Sequence, residues 1–401
     1  MEKKLFYVTQ NYPPEIIGGS TRASDFVRNL SQDYEITVIC PHPTVPFGMF
    51  KHNFRLVTKS QQENVKIVHL FTYQPSDENP LKIEWKLYYF IFSLLSSLYV
   101  ILNHRKIDLI LTTSPPLFTA LPGIMLKKFF GKPWIVDVRD LWLENVQNLG
   151  LVDKSSIEFR FAHRIEHMAY HQSDLIFSMT QTLADKIYES YDIPKEKFTI
   201  VPHSIDTDTF LPAAIRSSEQ NLIYTGKIRF GGGLEKFVLA MEYLKDTNIH
   251  FIIIGEGELK KNVENIISEK HMKNVTIKSV IPREKIPEVL SGSMVGIIAL
   301  EENMGLDYAV PTKLLECMSC GIPVISTDIG GEVSNIVRTA RCGILVRNTP
   351  EEIERVIRSL LENPQLREEM GKNGRSFVVQ YCDKDIIINK INSKIETLFS
   401  S

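Results

Sequence analysis

Short runs of Val, Ile and Leu recur along this chain, apolar at nearly every position, with stretches of helical pattern between them. A strand that is apolar on both faces must be covered on both faces. Alternation of such strands with helices is the pattern of parallel sheets sandwiched by helices. The first series predicts strands at Leu5–Thr9, Ile36–Cys40, Lys66–Leu70, Leu109–Thr112, Trp134–Asp137, Leu175–Ser178 and Thr199–Val201. A second series predicts Leu222–Tyr224, His250–Ile254, Val275–Lys278, Val295–Ile298 and Val324–Ser326. Between them, "VPHSIDTDTFLPAAIRSSEQ" breaks the apolar pattern with Pro, Ser and Asp, so a linker is expected around Ile205–Ser218. The reading is α/β, with two doubly wound Rossmann-like domains, residues 1–205 and 206–382, facing across a cleft. Ligands of such sheets sit outside the carboxyl ends of the strands.

The 401 residues suit two or three domains, and 43% hydrophobic with 23% charged residues is a soluble composition. A formal charge of -2 gives no general attraction to nucleic acid. Five cysteines, an odd number spread along the chain, point to a reducing compartment. "MEKKLFYVTQNYPPE" reads as a strand entering a loop rather than a leader, so a cytoplasmic location is expected. The segment "LYYFIFSLLSSLYVIL", Leu87 to Leu102, falls short of a span. It reads first as a buried or half-buried helix, and second as a helix against a membrane. Lys82, Lys86, Arg105, Lys106, Lys127, Lys128 and Lys132 surround it, a basic patch suited to an anionic membrane surface.

Two glycine-bearing loops follow the first strand of each series. In "TQNYPPEIIGGSTRAS", Gly18-Gly19 precedes a helix expected to open at Ser20 or Thr21, with Glu15 before it. Arg22 lies in its first turn, against the helix dipole, which hints at an anionic partner. In "YTGKIRFGGGLE", Gly226, Lys227 and Arg229 suit a phosphate or diphosphate; no Walker loop is present. The stretch "VPTKLLECMSCGIPVIS" sets Glu316 among apolar neighbours. Pro311 suits a first helical turn. Thr312, Lys313 and Leu314 would then present amides and a cation to a phosphate. Glu316, one turn on, would accept hydrogen bonds from two ribose hydroxyls. That is the geometry of a nucleoside diphosphate.

These residues resemble family 4 of the retaining glycosyltransferases, of the GT-B fold, over nearly the whole length. The matching segments are "YPPEIIGG", "VDVRDLWLENVQNLGL", "SDLIFSMTQTLADKI", "VPHSIDTDTF", "YTGKIRFGGGLE", "VPTKLLECMSCGIPVIS" and "LREEMGKNGR". The branch with an R-D-L-W-P-E motif, of envelope-polysaccharide and lipid-linked oligosaccharide assembly, is the most similar. The resemblance implies transfer from a nucleotide-sugar, by family habit a UDP-sugar and here expected to carry an N-acetylated aminosugar, to a lipid-linked or polysaccharide acceptor. It implies retention, no metal and no cofactor. It places Glu316 on the donor ribose, Gly18 and Gly19 near phosphates and acceptor, and Gly226 with Lys227 at the diphosphate. Arg139 aligns with a sugar-contacting His; Arg139, Asp140 and Glu144 are the catalytic candidates, and Glu15 and Arg22 the acceptor candidates. The helix at 383–401 is expected to pack back on the first domain. Tyr308 and Gly232 depart from the family's usual Glu and Lys.

Three other motifs compete. "DTD" at Asp206–Asp208 resembles a metal-binding D-x-D but lies in the linker. "HRIEH" at His163–His167 fits a zinc pattern but reads as a solvated helix face. Cys317 and Cys320 have no second pair and read as core residues. A nucleotide-sugar epimerase and a non-catalytic sugar-nucleotide-binding subunit remain the alternative functions.

Overall fold

The computed structural model describes residues 3–15, 17–45, 49–75, 83–148, 150, 152–213, 220–228, 233–301, 305 and 307–400. The chain forms two compact units, Met1–Pro202 with Ile388–Ser401, and His203–Ile387. Among the described residues, the first unit holds β1 (Lys4–Val8), β2 (Glu35–Pro41), β3 (Val57–Gln62), β4 (Val65–Leu70), β5 (Leu109–Ser114), β6 (Trp134–Val138), β7 (Leu175–Ser178) and β8 (Phe198–Ile200). They form one sheet in the order β3-β4-β2-β1-β5-β6-β7-β8, parallel except for β3, which runs antiparallel to β4. The second unit holds β9 (Asn221–Thr225), β10 (His250–Ile254), β11 (Val275–Lys278), β12 (Val295–Ile298), β13 (Val324–Thr327) and β14 (Gly343–Val346), all parallel in the order β11-β10-β9-β12-β13-β14.

Successive strand residues point to opposite faces. In β9, Leu222 and Tyr224 enter one core with Phe251 and Ile297. Ile223 enters the other with Ile298, Leu314 and Val324. Burial on both faces is why these strands read as unbroken apolar runs.

Each sheet has one place where the chain turns to build outward on the other side. In the first unit it lies between β1 and β5, in the second between β9 and β12. Loops diverge there and leave a crevice for ligands. The 205–213 stretch belongs to the second unit: Ile205 pairs with Asp383, and its amide donates to the Cys382 carbonyl at 2.8 Å. The Lys384–Ser400 helix begins in the second unit and continues in the first from Ile388. There Asn392 Nδ2 donates to Asp33 at 2.6 Å, and the Lys3 ammonium lies 4.6 Å over the Phe399 ring.

Candidate active site

In the second unit the site grows from the Thr312–Ser319 helix, which follows β12. Pro311 is its N-cap, in extended conformation, with no side-chain cap. The Leu314 N–H donates to the Pro311 carbonyl at 3.1 Å, so Leu314 does not offer the free amide expected of it. Thr312 opens the helix. The Lys313 ammonium lies 3.7 Å from the centroid of the Tyr224 ring. It reaches the β9 loop because Gly226 has no side chain: a Cβ there would sit 3.2 Å from Lys313 Nζ, and φ is +123°. Gly226 and Lys313, far apart in sequence, therefore share one spot at the β9/β12 crevice.

Glu316 lies one turn further. It is buried, yet its carboxylate has no hydrogen-bond or ion-pair partner among the described residues. Burial pushes its carboxyl above the usual range, while the charges of Arg283 and Lys313 pull it down. A desolvated carboxylate with its acceptor sites unspent is costly unless a ligand uses them. Leu314, Leu315, Cys317 and Met318 bury the rest of the helix. Gly296 of β12 makes room for it, since a Cβ there would lie 2.5 Å from Cys317 Sγ.

Arg375 fixes the far end of this helix. Its Nη1 donates to the Ser319 carbonyl at 3.0 Å, to Ser319 Oγ at 2.9 Å and to the Phe210 carbonyl at 2.7 Å. Its Nη2 donates to the Thr207 carbonyl at 2.9 Å. The sequence offered only a motif for this residue. It also left unnoticed Gly330-Gly331, both at positive φ, after β13. A Cβ on Gly331 would lie 1.9 Å from the Asp307 carbonyl oxygen, which accepts from the Glu332 N–H at 2.7 Å. The Gly-Gly pair after the Val324–Ser326 run was the signal in the sequence.

The remaining loop residues divide. Lys227 is exposed and lies 3.6 Å from Glu258. Arg229 and Gly232 fall outside the described residues. Gly255 and Gly257 let the β10 loop pack on the β9 loop backbone, so this G-x-G is a packing device. Tyr308 is buried.

In the first unit the helix after β1 starts at Gly18, with Ile17 as N-cap, so the two glycines form its first turn instead of preceding it. A Cβ on Gly19 would lie 2.3 Å from Arg139 Nη1, whereas one on Gly18 would meet nothing within 4 Å. Arg139, after β6, donates to the Pro115 carbonyl; its Nε is buried and unpartnered among the described residues, as is the Tyr7 hydroxyl. Burial lowers the Arg139 pKa, and Asp137 opposes this. Asp140 accepts from Asn145 Nδ2 at 2.5 Å. Glu144 is exposed on the Trp142–Asn148 helix; the Glu166 carboxyl, pushed up chiefly by burial, is raised a little further by the Glu144 charge.

The two acceptor candidates have internal partners. Arg22 is buried against Asp137, donating Nη2 to Oδ1 at 2.7 Å and Nε to Oδ2 at 3.0 Å. It also donates to the Val201 and Pro202 carbonyls. The anion that its unfavourable place in the dipole called for is thus Asp137. Glu15 accepts from the Thr44 and Val45 amides at 2.7 and 3.1 Å and from Asn11 at 2.8 Å, so it pins the loop after β2. The competing motifs are also spent internally. Asp206 and Asp208 share Lys384, at 2.9 and 3.4 Å. Glu166 faces inward to Tyr170 and Tyr191, while His163, His167 and His171 face outward. Burial raises Cys320 to about 12 and Cys317 well up, which leaves both thiols inert.

Two family profiles match successive parts of the chain: "Glycosyl transferase 4-like domain" over residues 18–203, and "Glycosyl transferases group 1" over residues 208–377. The chain is a family 4 glycosyltransferase of the GT-B fold. The glycosyltransferase is 22% identical to the putative colanic acid biosynthesis glycosyl transferase WcaI of Escherichia coli K12, over 98% of this chain and 99% of that one. Its fold is similar to sucrose-phosphate synthase from Thermosynechococcus elongatus, with a TM-score of 0.76 at 17% identity over 99% of both chains. It is also similar to Anabaena HepE in complex with UDP-glucose, with a TM-score of 0.69 at 15% identity over 98% of this chain and 99% of that one.

Proposed function

We propose that this glycosyltransferase moves a sugar from a UDP-sugar to a lipid-linked or polysaccharide acceptor in cell-envelope glycan assembly, with retention and without a metal. The observation that carries the reading is Glu316, a buried carboxylate with unspent acceptor sites one turn into a helix that opens beside Lys313 and Gly226. Vicinal ribose hydroxyls donate the two hydrogen bonds it lacks. The diphosphate then lies toward the helix start, where the Thr312 amide and the Lys313 ammonium meet its charge. As the sugar departs with oxocarbenium character, that charge grows on the leaving oxygen, and fixed cations and amides lower the barrier. The leaving oxygen takes the acceptor proton on the same face, which gives retention. Arg139 and Asp140 contact the sugar or acceptor. The name of WcaI supports envelope glycan assembly, and the UDP-glucose complex of HepE supports a uridine donor.

Calorimetric titration of wild type and Glu316→Ala with UDP, GDP and dTDP tests this. UDP is expected to bind wild type, with affinity falling about thirtyfold or more in the variant. If wild type binds none of them, or the variant binds as well as wild type, the reading fails.

A further inference from the structure

The Ile83–Leu102 helix of the first unit is packed inside out. Its buried side carries Ser93, Ser96 and Ser97 with Tyr88 and Phe92. Its outer side carries Ile83, Leu87, Phe90, Leu94, Leu98 and Leu102, each at least 37% exposed. Recurring every three or four residues, these six form one continuous stripe. A helix that faces water distributes leucine and serine the other way round. The arrangement is settled on its inner side: Ser93 donates to the Phe118 carbonyl, and Ser96 and Ser97 donate to the Ser93 carbonyl. A contiguous apolar surface of this kind marks an interaction site.

Charge says what covers it. Arg105 and Lys106, just beyond the helix, are exposed. So are Lys128 and Phe129 of the neighbouring Leu121–Phe130 helix, with Lys132 half-buried after it. The basic patch is smaller than the sequence suggested. Lys127 pairs with Asp174 at 2.6 Å, Lys86 lies 4.0 Å from Glu158, and Lys82 is outside the described residues.

We propose that the stripe rests in the interface of an anionic lipid bilayer, with the helix parallel to the membrane plane. Apolar side chains sink about 5–10 Å into the headgroup and acyl boundary, and the cations meet lipid phosphates. At about 30 Å the helix is long enough to span. Spanning, however, would tear Tyr88, Phe92 and Val100 from the core and bare three serines to lipid. The inference deepens the reading above: Tyr88 sits beside Gln10 and Thr44, past the ends of β1 and β2, so the same helix links a bilayer to the edge where a lipid-linked acceptor would be bound.

The test is sedimentation of the full chain with phosphatidylcholine vesicles, with and without phosphatidylglycerol, and UDP calorimetry on the same samples. Wild type is expected to sediment with the anionic vesicles. Phe90→Glu/Leu94→Glu is expected to lose about tenfold or more in vesicle affinity, and Lys128→Glu/Lys132→Glu to lose the phosphatidylglycerol preference. All are expected to keep the wild-type circular dichroism spectrum, since none of the substituted residues belongs to the buried core. The proposal is overturned if wild type does not sediment, or if either folded variant binds as wild type does. It is also overturned if wild type is a dimer that Phe90→Glu/Leu94→Glu makes monomeric, because a second copy then covers the stripe. Vesicle binding without UDP binding would sink the donor reading and leave this one standing.

Discussion

Burial pushes the Glu316 carboxyl up, and only partial compensation comes from Arg283 and Lys313. Between the ordinary carboxylate range and that raised value, the folded protein holds more protons than the unfolded chain. Stability therefore falls as pH rises through the window. Glu316→Gln removes the penalty. Thermal melts across pH are expected to show the variant more stable than wild type above the window, with the gap closing toward acid. A variant that melts lower at neutral pH would mean that the carboxylate is held by stabilising contacts. Nucleotide affinity of wild type is expected to weaken as pH falls through the same window, since protonation removes an acceptor. The glycine pair makes a second test. Gly19→Ala must displace the Arg139 guanidinium, while Gly18→Ala meets open space. Transfer activity is expected to drop about tenfold or more for Gly19→Ala, as for a misplaced positioning group. If Gly18→Ala loses as much, a ligand, and not Arg139, occupies that space. Glu316 stood out in the sequence because a carboxylate on a short apolar helix has no local reason to be there. The internal partners Asp137 of Arg22 and Thr44 of Glu15 went unread because they lie 115 and 29 residues away. No local pattern carries such a pairing.

The Thr312–Ser319 helix is short, and its position is set from outside. Arg375 ties its last turn to the 207–210 stretch by four hydrogen bonds. Arg375→Ala is expected to cost about 2–3 kcal/mol in denaturant unfolding. It should also weaken UDP binding although no ligand-facing group has changed. Unaltered affinity would show that the helix is held well enough by its core face alone. Most elements were legible for a simple reason. Strands buried on both faces are written in Val and Ile, and the strands expected from sequence lie within a residue or two of those observed. The two that escaped notice lack that signature. β3, "VTKSQQ", is a largely exposed antiparallel edge, and β14 opens on Gly343. The Ile83–Leu102 helix was legible as a helix but its orientation was not: an apolar run states that a surface is dry, not which side of the helix is.

The whole molecule is two sheets on one chain, and the first unit is discontinuous in sequence. Its last element, from Ile388 onward, buries Ile391 and Ile395. Each is worth about 1.5–3 kcal/mol relative to exposure. Removing residues 388–401 is expected to lower the unfolding temperature of the first unit while UDP still binds the second. Differential scanning calorimetry with and without UDP reads both, because ligand raises only the transition of the unit that holds it. If both transitions fall together, the units do not unfold independently. The same discontinuity has a consequence for synthesis. Domains emerging from a ribosome generally fold in order, the amino-terminal one first. Here the leading unit must wait, short of one helix, while the whole of the trailing unit is translated. The later-made half is thus the first that can be finished, and the earlier half spends that interval dependent on whatever shields its open flank in the cell.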